Sequence, residues 1–326
     1  VASTRVAVLR ALQRHGLQGR HVLRAGSGGP DSLALAAAAA FEVPRGGGTA
    51  GAVVVDHGLQ DGSDQVARAA AQACTRLGLD PVTVSRVRVE ATGGGPEEAA
   101  RTARAAALTH LGEQASAAAV LLGHTRDDQA EQVLLGLARG SGTRSLAGMP
   151  RSRPAMAGSP VLVVRPLLAV PRAVTAQACA DLGLTPWQDP HNRDERYARV
   201  RARRALRQLE ESLGPGVDAA LARTAELLRD DAEVLEDLAV AAYERLGDPP
   251  WPPAVLVELA PAVRRRLWRL AALAAGSPAG SLTDTHLRAA DTLVRDWHGQ
   301  GPVHLPGGVR AQRSARGVWL ERPSPS

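Results

Sequence analysis

Over about the first 200 residues, short apolar runs and helical patterns take turns without a break. The strand-like runs are His21–Ala25, Ala52–Asp56, Pro81–Val89, Ala118–Gly123 and Val161–Pro166. Helical patterns fill the gaps and the end: Asp31–Ala40, Asp64–Leu77, Pro96–Leu111, Asp127–Arg139 and Pro171–Leu182. A strand followed by a helix returns to the same sheet as a parallel neighbour, through a right-handed crossover. Runs of Val, Leu and Ala without two-residue alternation fit strands covered on both faces. The alternation predicts an α/β fold, a doubly wound, Rossmann-like parallel sheet. Such sheets bind ligands outside the carboxyl ends of their strands. The chemistry is therefore sought just past each strand.

Past Pro186 the pattern changes to an irregular loop, Trp187–Asn192, and an arginine-dense helix. A long helical stretch, Val217–Leu246, leads to the punctuator Pro249-Pro250-Trp251-Pro252-Pro253. Helical segments over Ala262–Ala275 and Thr283–Trp297 follow, then short strand-like pieces at Val303–Leu305, Val309–Gln312 and Val318–Glu321. Two domains are expected: residues 1–210, and a smaller, mainly helical domain over 211–326.

The chain holds no lysine, so all 39 basic residues are arginine. That excludes a Walker A loop, a Schiff base and a lysine general base. The formal charge of +6 favours a polyanionic partner. Cys74 and Cys179 lie outside any CxxC, which argues against a zinc ribbon or an iron–sulfur cluster held by such a motif; both read as buried thiols. The apolar run Leu33–Val43 is too short to span a bilayer, and Val1–Arg10 lacks the order of a signal peptide. A cytoplasmic protein is expected.

The sharpest local feature is Ala25-Gly26-Ser27-Gly28-Gly29-Pro30-Asp31-Ser32, between the first strand and its helix. Glycines admit an anion close to backbone N–H groups, and the helix start adds free donors and partial positive charge. Ser27 and Ser32 add hydroxyl donors. Asp31 would repel a bare phosphate, but suits Mg²⁺ lying between carboxylate and phosphates. A dinucleotide fingerprint fails here, because Asp31 stands where the third glycine belongs.

Two further strand ends carry polar groups. Asp56-His57-Gly58 closes the second strand, beside the place where an adenosine would lie. His124-Thr125-Arg126-Asp127-Asp128-Gln129-Ala130-Glu131 follows the fourth. Asp127 and Asp128 complement a helix start, but Asp128 and Glu131 stand three apart and point with His124 toward the crevice of Asp31. Carboxylates there suit metal binding, or proton transfer from an attacking amine. Seven arginines crowd Arg193–Arg207, with Arg199 and Arg203 on one helix face, a pattern suited to phosphate or nucleotide contact.

The glycine-rich string is similar to the PP-loop of the N-type ATP pyrophosphatases, which split ATP between the α and β phosphates and adenylate a carbonyl-type oxygen. With His124–Glu131, Arg139-Gly140-Ser141-Gly142, Arg165-Pro166-Leu167-Leu168, Asp189-Pro190-His191-Asn192 and the Arg199/Arg203 helix, the chain resembles the tRNA(Ile)-lysidine synthase family over about residues 20–210. Val200 stands where that family often has Asn after the first arginine. Asp296–Gly301 and Leu305–Gly308 resemble the family's first C-terminal domain, so a short form without the extra C-terminal domain is expected.

The resemblance implies ATP and Mg²⁺ as cofactors, and tRNA(Ile) with a CAU anticodon and L-lysine as partners, with no membrane. A homodimer is a candidate assembly. ATP adenylates C2–O of the wobble cytidine, pyrophosphate leaves, and the lysine side-chain amine displaces AMP. By the same resemblance Ser27, Gly28, Gly29, Pro30, Asp31 and Ser32 hold the phosphates, with Asp56 and His57 beside the nucleotide. Asp31 and Asp127 hold the metal. Asp128 and Glu131 face the lysine amine, while His124, Arg199 and Arg203 stabilise the adenylated intermediate. The Arg264-Arg265-Arg266 run, with Trp268 and Arg269, is a candidate tRNA contact. Three rivals remain: a tRNA cytidine thiolase, an amide-forming ligase such as NAD synthetase, and a non-catalytic nucleotide- or RNA-binding module. The first would need cysteines or a cluster to deliver sulfur, the second would not need the arginine helix, and the third would not need Asp31, Asp127, Asp128 and Glu131.

Overall fold

The computed structural model describes residues 1–56, 62–86, 106–140, 142–156, 158–189 and 194–322. Strands β1 (His21–Gly26), β2 (Thr49–Asp56), β3 (Val82–Arg86), β4 (Ala119–Leu122), β5 (Ser152–Pro154) and β6 (Leu162–Val164) make one sheet in the order β3-β2-β1-β4-β6-β5. Every pairing is parallel except that of β5 with β6. The antiparallel edge strand was not expected: three residues, Ser-Arg-Pro, carry no apolar run, and Pro154 is tolerated only where a ladder donor is dispensable.

Helices α1 (Ala2–Arg14), α2 (Pro30–Arg45), α3 (Ser63–Arg76), α4 (106–114), α5 (Arg126–Ala138), α6 (Thr143–Leu146), α7 (Arg172–Asp181) and α8 (Ala198–Leu213) accompany the sheet. The expected helix from Pro96 lies outside the described residues up to 105. Helix α1 is an addition; it places Val8, Ala11 and Leu12 in the core at helical spacing. The sheet is apolar on both faces, as continuous Val/Ala runs require. Val22, Ala50 and Ala52 pack with Leu35, Ala36 and Ala39 of α2 on one side. Leu23, Ala25, Val53, Val55 and Val120 form the other side. Each fully buried Val or Leu contributes roughly 1.5–3 kcal/mol of transfer free energy.

The chain runs outward from β1 to β2 and β3, then returns to the other side of β1 with β4. The order reverses between β1 and β4, so the crevice lies outside the carboxyl ends of those two strands. The loop Ser27–Gly29 leaves β1, and His124–Arg126 leaves β4.

The contacts divide the chain into two compact units, Val1–Leu228 and Arg229–Ser326. The division falls within α9 (Val217–Leu246), whereas the expected 210/211 boundary falls within α8. The second unit contains α10 (Pro253–Glu258), α11 (Pro261–Ala274), α12 (Asp284–Arg295) and an antiparallel sheet β7-β8-β9 (Val303–His304, Arg310–Ser314, Gly317–Glu321). Its core gathers Trp251, Leu256, Leu267, Trp268, Leu293 and Val309. Arg264 and Trp268 belong to this interior, with Arg264 only 2% exposed, so these two members of the expected tRNA-contact run do not form a solvated basic face. Among the described residues, no helix is long and apolar enough to cross a membrane.

Candidate active site

The loop after β1 closes onto α2 with Gly29 as N-cap and Pro30 at the first helical position, where a missing N–H costs nothing. Gly28 has φ of +83°, a conformation that favours glycine, and its carbonyl accepts from the Trp187 N–H at 3.0 Å. The loop that begins at Trp187 thus meets the phosphate loop; residues 190–193 lie outside the described residues. The Ser32 hydroxyl is buried and has no hydrogen-bond partner among the described residues. Asp56 ends β2, buried, with Arg86 Nε 4.0 Å from its carboxylate. His57 and Ser141 lie outside the described residues.

Helix α5 starts at the end of β4. Thr125 is its N-cap, and its N–H and hydroxyl both donate to Asp128 Oδ2 at 2.8 Å, so Asp128 completes a capping box. Asp127 Oδ2 accepts the backbone N–H of Arg172 at 2.7 Å, and the Arg126 N–H donates to the Val170 carbonyl at 3.0 Å. These bonds bind the start of α5 to the start of α7.

Arg172 is the residue that reading the sequence missed. It opens α7, a position where a cation opposes the helix dipole and needs carboxylates nearby. That mismatch was the available signal. Its Nη2 donates to Asp128 Oδ1 at 2.6 Å, its Nη1 to Glu131 Oε1 at 3.1 Å and its Nε to Asp31 Oδ2 at 3.4 Å. Asp31 also accepts from the Thr175 hydroxyl. Arg203 of α8 donates from Nε to the same Glu131 oxygen at 2.9 Å. Asp31, Asp128, Glu131 and Arg203 are thus brought together around Arg172. Arg199, one turn earlier, has no hydrogen-bond or ion-pair partner among the described residues. His124 lies close enough to act electrostatically on Asp128.

The charges follow from this packing. Burial pushes the Asp31 carboxyl up; Thr175 and Arg172 oppose that, Asp128 adds to it, and the net effect is upward. Burial also pushes Asp128 up, but Arg172, the Thr125 N–H and His124 outweigh it and hold the group below the usual carboxylate range. Burial disfavours the Arg172 charge, yet the surrounding carboxylates prevail and raise its pKa. Burial and the Asp31 charge push the Cys179 thiol up to about 11, which keeps it an inert thiol. Glu131 is 1% exposed; two arginines share its Oε1, while Oε2 meets no hydrogen-bond donor among the described residues. A buried carboxylate oxygen without a hydrogen-bond donor thus lies among the carboxylates gathered around Arg172.

Among the described residues, no cluster of three or more His, Cys, Asp or Glu is placed to hold a metal. Mg²⁺ needs only one or two carboxylates when phosphates complete its shell. Asp31 lies at the loop's helix start with Oδ1 accepting from Thr175 and Oδ2 from Arg172, and Asp127 Oδ2 accepts from the Arg172 backbone N–H, so both carboxylates already hold protein donors.

Residues 3–210 match a family described as the PP-loop domain, and residues 254–319 match the TilS substrate binding domain. The chain is 53% identical over 316 residues to a tRNA(Ile)-lysidine synthase from Thermobifida fusca, covering 96% of this chain and 95% of that protein. It is 49% identical over 328 residues to the synthase of that name from Salinispora arenicola, covering 100% and 97% respectively. Among solved structures, a U34-tRNA thiolase from Methanococcus maripaludis superposes with a TM-score of 0.59 at 20% identity, covering 69% of this chain and 78% of that one. That last likeness bears on the fold alone.

Proposed function

This chain belongs to the tRNA(Ile)-lysidine synthase family, and from that premise we propose how its residues divide the reaction. It is an ATP-dependent enzyme of tRNA modification that ligates lysine to the wobble cytidine of tRNA(Ile) with a CAU anticodon. We assign free L-lysine as the amine donor and Mg²⁺ as the metal, with the cytoplasm as the site of action and a homodimer as a candidate assembly.

The backbone donors of Ser27, Gly28 and Gly29 hold the β and γ phosphates at the start of α2. Asp31 would hold Mg²⁺, which would offset charge on the phosphates. The cytidine oxygen attacks the α-phosphorus and pyrophosphate leaves. The anticodon loop is single-stranded, so its wobble base can be splayed into the crevice. Asp56 and His57 face the nucleotide. His124, Arg199 and Arg203 face the adenylated base, and Asp127 braces α5 against α7.

An ammonium is no nucleophile until it loses a proton. Glu131 Oε2 is a buried carboxylate oxygen without a hydrogen-bond donor among the described residues, and it carries our reading: it draws the lysine ammonium in and takes its proton. Asp128 has a different task. With Oδ2 in the capping box and Oδ1 on Arg172, it fixes the cation that orients Glu131. The freed amine attacks C2, AMP leaves, and the base becomes lysidine. A cytidine thiolase is disfavoured by relatives of about half identity that carry the synthase name, and by two buried cysteines without a CxxC.

The test supplies ATP, Mg²⁺, radiolabelled lysine and unmodified tRNA(Ile) with CAU. Label in acid-insoluble RNA that survives base and requires ATP is the expected result. AMP release driven by another amine or by a sulfur donor, without such label, would remove lysine from the reading. Asp31→Asn is expected to abolish AMP formation while the chain stays folded.

A further inference from the structure

Arg24 sits in the middle of β1, on the strand face that Val22 shares, and is 0% exposed. An arginine at a doubly covered sheet position is anomalous, because a buried cation needs a partner charge. No carboxylate pairs with it among the described residues. Its single hydrogen bond runs from Nη2 to Cys74 Sγ at 3.2 Å, and Nε and Nη1 have no partner among the described residues. Cys74 is no counter-charge at neutral pH, since burial pushes its thiol up.

The guanidinium is aimed at the phosphate loop. A Cβ on Gly26 would collide with Arg24 Nη1 and with Ser32 Oγ alike. Glycine at 26, the last residue of β1, is what admits the guanidinium. Two buried, unpartnered donors thus converge under the residue from which the loop springs. Ser32 belongs to the first turn of α2, whose free N–H groups face the same loop.

We propose that Arg24 is a positioning residue for the phosphates of ATP: a buried positive charge beneath the loop that acts through the local field. The role rests on the reading of Ser27–Gly29 as the phosphate cradle. A cation in a water-poor interior is screened far less than one at the surface, so its charge reaches phosphates that it does not touch. The effect is expected on the affinity for pyrophosphate and on KM for ATP, with a smaller change in kcat once substrates are bound.

Pyrophosphate with Mg²⁺ is the probe, titrated against the whole chain by calorimetry and by thermal shift. Arg24→Met keeps an unbranched apolar chain of similar reach and removes the charge. It is expected to weaken pyrophosphate binding by about tenfold or more and to raise KM for ATP in parallel. Arg24→Lys keeps the cation and is expected to recover most of the affinity. Gly26→Ala, which displaces the guanidinium, is expected to behave like Arg24→Met, and serves if that variant fails to fold. Wild-type affinity in folded Arg24→Met would overturn the proposal and leave the loop reading intact. Equal weakening by Met and Lys would also overturn it, by showing that packing and not charge matters. No pyrophosphate binding by the wild-type chain would remove the loop reading and this proposal together.

Discussion

Two arginines of this protein meet carboxylates in opposite ways. In the second unit, Arg264 donates from Nε to Asp291 Oδ1 at 2.6 Å and from Nη2 to Oδ2 at 3.1 Å. Its Nη1 reaches the Leu259 carbonyl at 2.9 Å, and Trp268 Nε1 donates to Asp291 Oδ1 at 3.1 Å. One cation faces one anion, and both are satisfied by geometry alone. In the first unit, Arg172 is shared among Asp31, Asp128 and Glu131, with Asp127 on its backbone. Even with Arg203, two cations face four carboxylates among the described residues, and the buried Glu131 Oε2 has no donor among them. A closed pair specifies a fold. An acid surplus with an open acceptor attracts a further cation, at the expense of stability. The difference separates structure from chemistry where residue type does not.

The contrast breaks most sharply at its two centres. Glu131→Gln keeps the shape and removes the acceptor's charge. It is expected to lower kcat for lysidine formation by about 10²–10⁴-fold, with little change in melting temperature, as read by single-turnover assay and circular dichroism. Full activity would move the proton acceptor elsewhere. Arg264→Leu should do the reverse, since it strands a buried carboxylate. It is expected to cost about 3–5 kcal/mol, read from denaturant unfolding followed by tryptophan fluorescence, because Trp251 and Trp268 lie in that core. Unchanged stability would mean that the closed pair does not hold the second unit together.

Reading the sequence reached the sheet, because alternation of apolar runs is a local signal that tertiary packing reinforces. It also reached the clustering of Asp31, Asp128 and Glu131, because each sits just past a strand or on the first turns of the next helix. Arg172 and Arg264 escaped for one shared reason. Whether an arginine is solvated or interior depends on which distant carboxylate it meets: Arg172 lies 41 residues from Glu131, and Arg264 lies 27 from Asp291. Three consecutive arginines look like a solvated face until one of them turns inward. Arg24 escaped because a strand of apolar neighbours hides a charge, and only the space at Gly26 shows where its head goes. The antiparallel β5 was invisible because its pairing with β6 rests on backbone bonds, with two of its three residues exposed.

Two smaller effects sharpen the comparison inside the first site, where bracing and chemistry share residues. Thr125→Ala removes the hydroxyl that caps α5 and is expected to cost about 1 kcal/mol, visible as a lower denaturant midpoint. Since Asp128 would still hold Arg172, kcat should fall far less than in Glu131→Gln; a comparable fall would make the cap part of the chemistry. Thr175→Val tests Asp31. Burial raises this carboxyl, and the Thr175 hydrogen bond pulls it back down, so losing the hydroxyl raises it further. An acid raised in the folded state favours the protonated form there. Asp31 therefore weakens the fold as pH rises through its folded pKa, and regains that stability on acidification. Asp128, held low, behaves oppositely: its contribution is present above its unfolded pKa and lost as pH falls through the folded one. Only ionised Asp31 can hold Mg²⁺, so the acid limb of kcat/KM for ATP is expected to move to higher pH in Thr175→Val. Titrating AMP formation against pH in both proteins reads this directly. A limb that stays in place would assign it to a carboxyl other than Asp31, and would take the metal role away from the one loop residue whose charge the fold resists.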